Sequence, residues 1–194
     1  MKPKEYEKNV LVTESCDFAA IRTRTDDRMI RLLHSGLGMS SELAELEVAL
    51  DKTDWDLVNI SEESGDILWY IAVAVNALGF DHNEISSFEV SKKEGYALRD
   101  SVNTTVWAVG EFNDLLKKHL FYGRELNTDK LKQNLQQMCM AVSAICIYCD
   151  KTPGQTRETN IAKLKVRFKD KFTEAAALNR DLDTERKILE GEKV

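Results

Sequence analysis

The fold is decided by residues 32–78, which read LLHSGLGMSSELAELEVALDKTDWDLVNISEESGDILWYIAVAVNAL. Apolar residues recur every three or four positions in both parts of this stretch, and that spacing is the period of an α-helix. The polar segment 51–54 interrupts the pattern, and we expect Thr53 or Asp54 to cap the second helix. The stretch therefore predicts two helices joined by a short connection and packed through Leu43, Leu46, Leu50, Ile67, Leu68 and Ile71.

Each of the two predicted helices carries a pair of carboxylates three residues apart, Glu42 and Glu45 on the first and Glu63 and Asp66 on the second. Side chains at this spacing lie on one face of a helix, so packing of the helices would bring four negative charges together. Such a cluster is tolerated only with bound cations or with some carboxylates protonated. Carboxylate oxygens suit Mg²⁺ or Mn²⁺, and Mg²⁺ engages phosphates, so we expect a polyphosphate substrate. The alternative is two acidic pairs on solvated helix faces, where this spacing is common.

The composition favours a helical protein of one sizeable domain or two small, closely packed ones. Of the 194 residues, 43% are apolar and 31% are charged, and only 2 prolines and 9 glycines are present. The net charge of −6 argues against general nucleic-acid binding, which requires basic surface. No apolar run reaches the length of a membrane span, and the N-terminus lacks the apolar core of a signal peptide. We therefore expect a cytoplasmic protein with neither a membrane nor a nucleic-acid partner.

The cysteines Cys146 and Cys149 form a Cys-x-x-Cys motif, which is compatible with a redox or zinc module. Such a module needs a βαβ context or further ligands, and neither is visible in the sequence. Together with Cys139, the two cysteines recur at helical spacing among apolar residues, which predicts buried thiols in the core.

Four regions are expected along the chain. Residues 1–27 form an extended arm that leads into one or two turns of helix, and residues 28–95 carry the acidic motif. Residues 96–182 form a second half packed on the first, and residues 183–194 form a charged tail that frays. Further boundaries are expected as follows: a helix start at Asp26, a helix end at Gly79, a short helix from Asp81 through Ile85, Phe88 and Val90, a helix over 102–120, and a turn at Pro153-Gly154.

The second half resembles a degenerate copy of the first. Segment 110–114 aligns with 41–45 and segment 131–137 aligns with 60–66, with Asn134 in the place of Glu63 and Gln137 in the place of Asp66. Amides cannot neutralise a divalent cation, so we expect no independent metal site in this half. The alternative is that two amphipathic helical hairpins look alike without being related.

The acidic motif resembles the signature of the MazG-type all-α nucleoside triphosphate pyrophosphohydrolases. The resemblance lies in Glu-x-x-Glu, a spacer and Glu-x-x-Asp followed by Ile-Leu-Trp-Tyr, with His34-x-x-x-Gly38 before it and Lys52 after it. It covers most of 28–182 and implies a helical bundle. It also implies Mg²⁺-dependent hydrolysis of a (deoxy)nucleoside triphosphate to a monophosphate and pyrophosphate. His34 by itself is more typical of a packed interface than of chemistry.

The resemblance also implies roles for individual residues. Glu42, Glu45, Glu63 and Asp66 would bind the ions, and Glu45 or Glu42 would accept a proton from water. The segment from Asn160 to Arg167 looks like the family's Asn-x-x-Lys-Leu-x-x-Arg-aromatic segment, in which Lys163 and Arg167 would bind the substrate phosphates. The other substrate-binding candidates are Lys52, which otherwise is a solvated helix-end lysine, Arg180, which otherwise forms a salt bridge, and the aromatic residues Trp55, Trp69, Tyr70 and Trp107, which otherwise belong to the core.

Other functions fit the same residues. An all-α dUTP or dCTP hydrolase carries similar carboxylate helices and cleaves the same bond. A helical interaction module, or one that binds nucleotides without turning them over, would keep the bundle and lose the chemistry. In this family four-helix arrangements usually arise from dimers, so the chain either supplies both halves of a bundle itself or forms a homodimer.

Overall fold

The computed structural model describes residues 1–86, 98–169 and 171–192. All regular secondary structure in these ranges is helical, which confirms the all-α fold class. The helices are α1 (Pro3–Thr13), α2 (Phe18–Thr23), α3 (Asp27–Leu50), α4 (Leu57–Leu78), α5 (His82–Ser86), α6 (Leu98–Tyr122), α7 (Thr128–Tyr148), α8 (Pro153–Phe168), α9 (Glu174–Leu178) and α10 (Leu182–Leu189). The expected helical residues Phe88 and Val90, and the boundary between the two expected halves, lie outside the described residues.

Helices α3 and α4 form the predicted pair, and local side-chain chemistry sets their ends. Asp26 caps α3 by accepting from the Met29 amide, and Gly79 ends α4 in the left-handed region at φ 70°. The expected cap of α4 at Thr53 or Asp54 is wrong. Asp56 takes that role, accepting from the amides of Val58 and Asn59.

Four helices enclose the core, with neighbours in the order α3, α4, α7 and α6, and α6 returning to α3. Their inward faces supply the apolar residues that the periodicity predicted, because each helix buries one stripe. The most completely buried of these residues are Leu32, Met39, Leu46, Ile60, Ile67, Ile71, Phe112, Leu116, Leu131, Leu135, Met138 and Val142. A single chain thus provides two helical hairpins around one core.

The two hairpins are arranged so that each helix touches its expected counterpart, α3 beside α6 and α4 beside α7. Asn134 is 4% exposed, close to the 5% of Glu63, whose place it takes in the alignment. These features agree with an internal repeat, which stays a prediction. Cys139, Cys146 and Cys149 are buried free thiols, as expected, and burial raises the pKa of Cys146 to about 11.

Helices α8 and α10 cover the α4 side of the bundle. Pro153 does not form the expected turn. It is the first residue of α8, where its missing N–H is harmless, and Thr152 with Gln155 forms a capping box before it. The expected fraying of 183–194 is wrong for α10, which packs on α8 and buries Leu189.

The N-terminal region differs from the expected extended arm because α1 and α2 are helical. Pro3 at the start of α1 and the Asp17 cap of α2 favour helix over the extended form that the β-branched residues suggested. The α2 region is tied to the end of α6, since the Arg24 guanidinium donates to the Leu120 carbonyl at 2.6 and 2.9 Å. Helix α1 buries none of its residues.

Across the described parts of the chain, every helix is either too short or too polar to cross a membrane.

Candidate metal centre

Three carboxylates converge between α3 and α4. Glu42 and Glu45 project from α3 and Glu63 projects from α4, and one carboxylate oxygen of each lies within 4.8 Å of the others. Glu63 is buried, Glu42 is partly buried and Glu45 is exposed. The site is therefore open to solvent on the Glu45 side and closed on the Glu63 side.

Electrostatics holds a proton in this cluster. Burial, followed by the charges of Glu62, Glu45, Asp66 and Glu42, raises the pKa of Glu63 to about 9. Burial and the charges of Asp66 and Glu45 also raise the pKa of Glu42, which is hydrogen-bonded to Glu63. At neutral pH Glu63 is therefore a neutral acid that can donate to Glu42. The donor set of three converging carboxylates fits a divalent cation such as Mg²⁺, which would take the place of this proton.

Asp66, the fourth expected ligand, is adjacent to the cluster but is engaged by α8. Its two oxygens accept from Asn160 Nδ2 and from Lys163 Nζ, each at 2.6 Å. Helix α8 reaches this position because Gly65 has no side chain, and a Cβ there would lie 3.1 Å from the Asn160 Cβ. Asp66 therefore contributes charge to the cluster, while its oxygens orient towards α8.

Lys163 is completely buried, with Nζ at 3.1 Å from Glu62 Oε1 and 2.6 Å from Asp66 Oδ2. It was predicted to bind substrate phosphates. Its burial between two carboxylates instead makes it an internal counter-ion of the cluster, and removing it would take the nearest positive charge away from both acids.

Two further predicted cations, Arg167 and Arg180, meet on Glu185 of α10. Arg167 forms a two-pronged pair with it, from Nε to Oε1 at 2.8 Å and from Nη2 to Oε2 at 2.5 Å. Arg180 Nη2 lies 2.8 Å from Glu185 Oε2 and 3.7 Å from Glu62 Oε1. Of the two readings left open for Arg180, the structure shows the salt bridge to a neighbouring helix.

An aromatic group stands beside the carboxylates. The Tyr70 ring lies on Gly38, where an added Cβ would fall 2.2 Å from ring atoms. Burial and the charges of Glu42 and Asp66 raise the pKa of the Tyr70 hydroxyl. His34 and Trp69 complete the group, with ring centroids 6.0 Å apart, and His34 packs edge-on against Tyr70 at 5.4 Å. The His34-to-Gly38 spacing therefore provides an aromatic wall next to the acids.

Three other predicted residues lie elsewhere. The Trp55 indole donates to the Leu50 carbonyl at 2.9 Å and packs on Tyr148, so it closes the α3–α4 connection. Trp107 is 54% exposed on the outside of α6. Lys52 is exposed in the α3–α4 connection, and no hydrogen bond or ion pair described within 1–86, 98–169 and 171–192 joins it to the carboxylates.

Glu62 and Glu185 lie at the site although neither had an expected role. Glu62 directly precedes Glu63 and turns to the α8 side of α4, where Lys163 meets it. Glu185 lies in a segment expected to fray, although Asp181 before an apolar pair at Leu182 and Leu189 is a signal of a short capped helix.

Comparisons of the chain with protein families, with curated proteins and with solved structures give no match in any of the three. The resemblance to the MazG-type enzymes therefore depends on the motif residues quoted above.

Proposed function

We propose that this chain is a Mg²⁺-dependent nucleoside triphosphate pyrophosphohydrolase, of MazG-like type, that releases a monophosphate and pyrophosphate. The observation that supports the proposal is the convergence of Glu42, Glu45 and Glu63 within 4.8 Å, from two adjacent helices. Like charges this close repel one another, and a bound divalent cation would relieve that repulsion more fully than the single proton on Glu63. The motif order in the sequence supplies the reaction class.

Glu42, Glu45 and Glu63 would hold the divalent ion, with Mn²⁺ able to replace Mg²⁺. A bound ion of this kind polarises a phosphate and lowers the pKa of a bound water. Asp66, oriented by Asn160 and Lys163, lies next to these ligands and keeps the site strongly negative.

We assign the remaining roles, proton acceptor, counter-ion and phosphate binding, from the exposure and chemistry of the side chains. Glu45 is the most exposed of the three acids and is placed to accept a proton from an attacking water. Lys163 is completely buried, so we assign it to holding Glu62 and Asp66. Phosphate binding and stabilisation of the departing pyrophosphate are assigned to Arg167 and Arg180, whose planar guanidinium groups match phosphate oxygens.

The base is assigned to the side of the site formed by Trp69 and Tyr70. The charges of Glu42 and Asp66 raise the pKa of the Tyr70 hydroxyl and that of Arg167 lowers it, so the ring is near both the acids and a cation of α8. Aromatic rings there can stack on a nucleobase without selecting one base.

The test is a panel of ribo- and deoxynucleoside triphosphates, dUTP and dCTP included, assayed for pyrophosphate with Mg²⁺ and with a chelator. Glu63→Gln removes a metal ligand and should abolish release while the helical circular dichroism spectrum is kept. Glu111→Gln, an exposed glutamate on α6, is the matched control. Wild-type turnover in Glu63→Gln would refute the site. Nucleotide binding without pyrophosphate release would identify a silent binding module, which the engagement of Asp66 and Arg167 by other side chains favours as the second candidate.

A further inference from the structure

Helix α10 places one carboxylate between two arginines at the edge of the candidate site. Glu185 is 2% exposed and accepts four hydrogen bonds, two from Arg167 and two from Arg180. Burial alone would raise the pKa of Glu185, but the hydrogen bonds from Arg167 and Arg180 outweigh it and hold the pKa below the usual range. The ionised Glu185 carboxylate is therefore bound to both arginines.

This arrangement lies next to the acidic cluster. Arg180 Nη2 is 3.7 Å from Glu62, and Glu62 shares Lys163 with Asp66. The Arg167 side chain is 14% exposed and that of Arg180 is 38% exposed. Arg180 is therefore accessible to an anion from solvent in the structure as it stands. Arg167 would become accessible only if Glu185 moved away.

The Glu185 carboxylate makes the same contacts that a phosphate would make. A two-pronged guanidinium–carboxylate pair has the geometry of a guanidinium–phosphate pair, because both anions offer two oxygens to parallel N–H groups. We propose that α10 is a self-blocking element, in which Glu185 occupies on Arg167 and Arg180 the place of a substrate phosphate. The identity of that anion as a nucleotide phosphate depends on the proposed function.

Helix α10 makes few stabilising contacts with the bundle, so it can dissociate from it. The helix has 8 residues, which is too short to be stable by itself. Besides Glu185 and the buried Leu189, α10 is held by two polar contacts. Lys151 Nζ donates to the Leu189 carbonyl at 3.4 Å. Arg186 forms a two-pronged pair with Asp56 at 2.7 and 3.2 Å, and these side chains are 40% and 33% exposed. Exposed pairs of this kind contribute little to stability. Displacement of Glu185 by a multivalent anion therefore opposes few other contacts.

The decisive experiment measures binding of inorganic pyrophosphate with Mg²⁺ to the full chain by calorimetry, which requires no turnover. Glu185→Gln, which retains shape and removes charge, should bind pyrophosphate about tenfold more tightly than wild type, since a blocking ligand lowers apparent affinity. Asp183→Asn removes one charge from an exposed position of the same helix and should bind as wild type does. Adding Arg180→Ala to Glu185→Gln should cancel the gain.

Equal or weaker binding by Glu185→Gln, or no binding to either protein, would overturn the proposal and leave Glu185 as a residue that positions the arginines. The wild-type chain offers a second readout that does not depend on any variant. Saturating pyrophosphate should accelerate amide hydrogen exchange in α10, and unchanged or slower exchange would contradict release of the helix. Failure of the nucleotide panel with tighter pyrophosphate binding by Glu185→Gln would refute the reaction and keep the self-blocking element.

Discussion

The proton on Glu63 couples the stability of the fold to pH, and it would couple binding of the proposed metal to pH as well. The folded pKa is about 9 against an ordinary 4.5. Below about pH 4.5 the carboxyl is protonated in both the folded and the unfolded chain. Between the two values only the folded chain keeps the proton, so the free energy of unfolding of the metal-free protein falls by about 1.4 kcal/mol per pH unit. Above about pH 9 both states are ionised and the slope disappears.

The same proton opposes the metal. At pH 7, two units below the folded pKa, ionising Glu63 costs about 2.7 kcal/mol, which the bound cation must offset. Apparent Mg²⁺ affinity should therefore increase about tenfold per pH unit between about pH 6 and pH 8, with release of one proton per ion.

Two measurements check this coupling. Urea unfolding with a chelator, repeated between about pH 5 and pH 9, should show falling stability for wild type and a nearly flat profile for Glu63→Gln. Calorimetric Mg²⁺ titrations in buffers of different ionisation enthalpy should report the released proton, and Glu111→Gln should behave as wild type does. A Mg²⁺ affinity independent of pH, or the same stability slope in Glu63→Gln, would refute the reasoning.

Three further substitutions test the packing of the site. Lys163→Met removes the buried ammonium between Glu62 and Asp66 and leaves these acids with Arg180 and Asn160, respectively. Urea unfolding should show a loss of about 3 kcal/mol, the low end for a broken buried pair. A loss below about 1 kcal/mol would show that the pair is not needed. Gly38→Ala drives a methyl into the Tyr70 ring and should cost about 1–3 kcal/mol, with a change in tyrosine fluorescence that an undisturbed ring would not give. Asp56→Ala removes the α4 cap and one end of the α10 tether, so the melting temperature should fall by an amount equivalent to about 1 kcal/mol, while an unchanged melting temperature would contradict the cap.

Helix pairing and the acidic cluster were predictable because both depend on short-range spacing. Glu42 and Glu45 face one way on α3 for the same reason that Leu43 and Leu46 face the core, namely the helical period. The connection was less predictable. Trp55 reaches back to the Leu50 carbonyl, which extends the non-helical segment, so the helix starts after Asp56.

The site residues of α8 could be identified from the sequence, but their contacts could not, and Glu185 of α10 could not be identified. The spacing of Asn160 and Lys163 shows that they share a helix face, yet whether that face meets solvent or α4 depends on the absence of a side chain at Gly65, far away in sequence. Lys163 was therefore expected at the site, but its observed partners are the carboxylates of Glu62 and Asp66 and not substrate phosphates. Glu185 was missed because a short charged helix carries too little periodicity to predict burial.

If the proposed function holds, the negative charge of this site requires that a phosphate substrate enter together with its metal. The site holds five acids and one buried ammonium, and the ammonium contacts two of the acids. Even with Glu63 protonated the group keeps a net negative charge, the acids being Glu42, Glu45, Glu62, Glu63 and Asp66. A metal-free polyphosphate would be repelled, whereas a divalent ion that replaces one proton makes the group less negative and bridges to phosphate oxygens. Arg167 and Arg180, the cations assigned to phosphate binding, already share an anion in Glu185. Under the proposed function, substrate binding would exchange metal for a proton at Glu63 and phosphate for the Glu185 carboxylate. Affinity should then depend on pH at the first position and on α10 at the second.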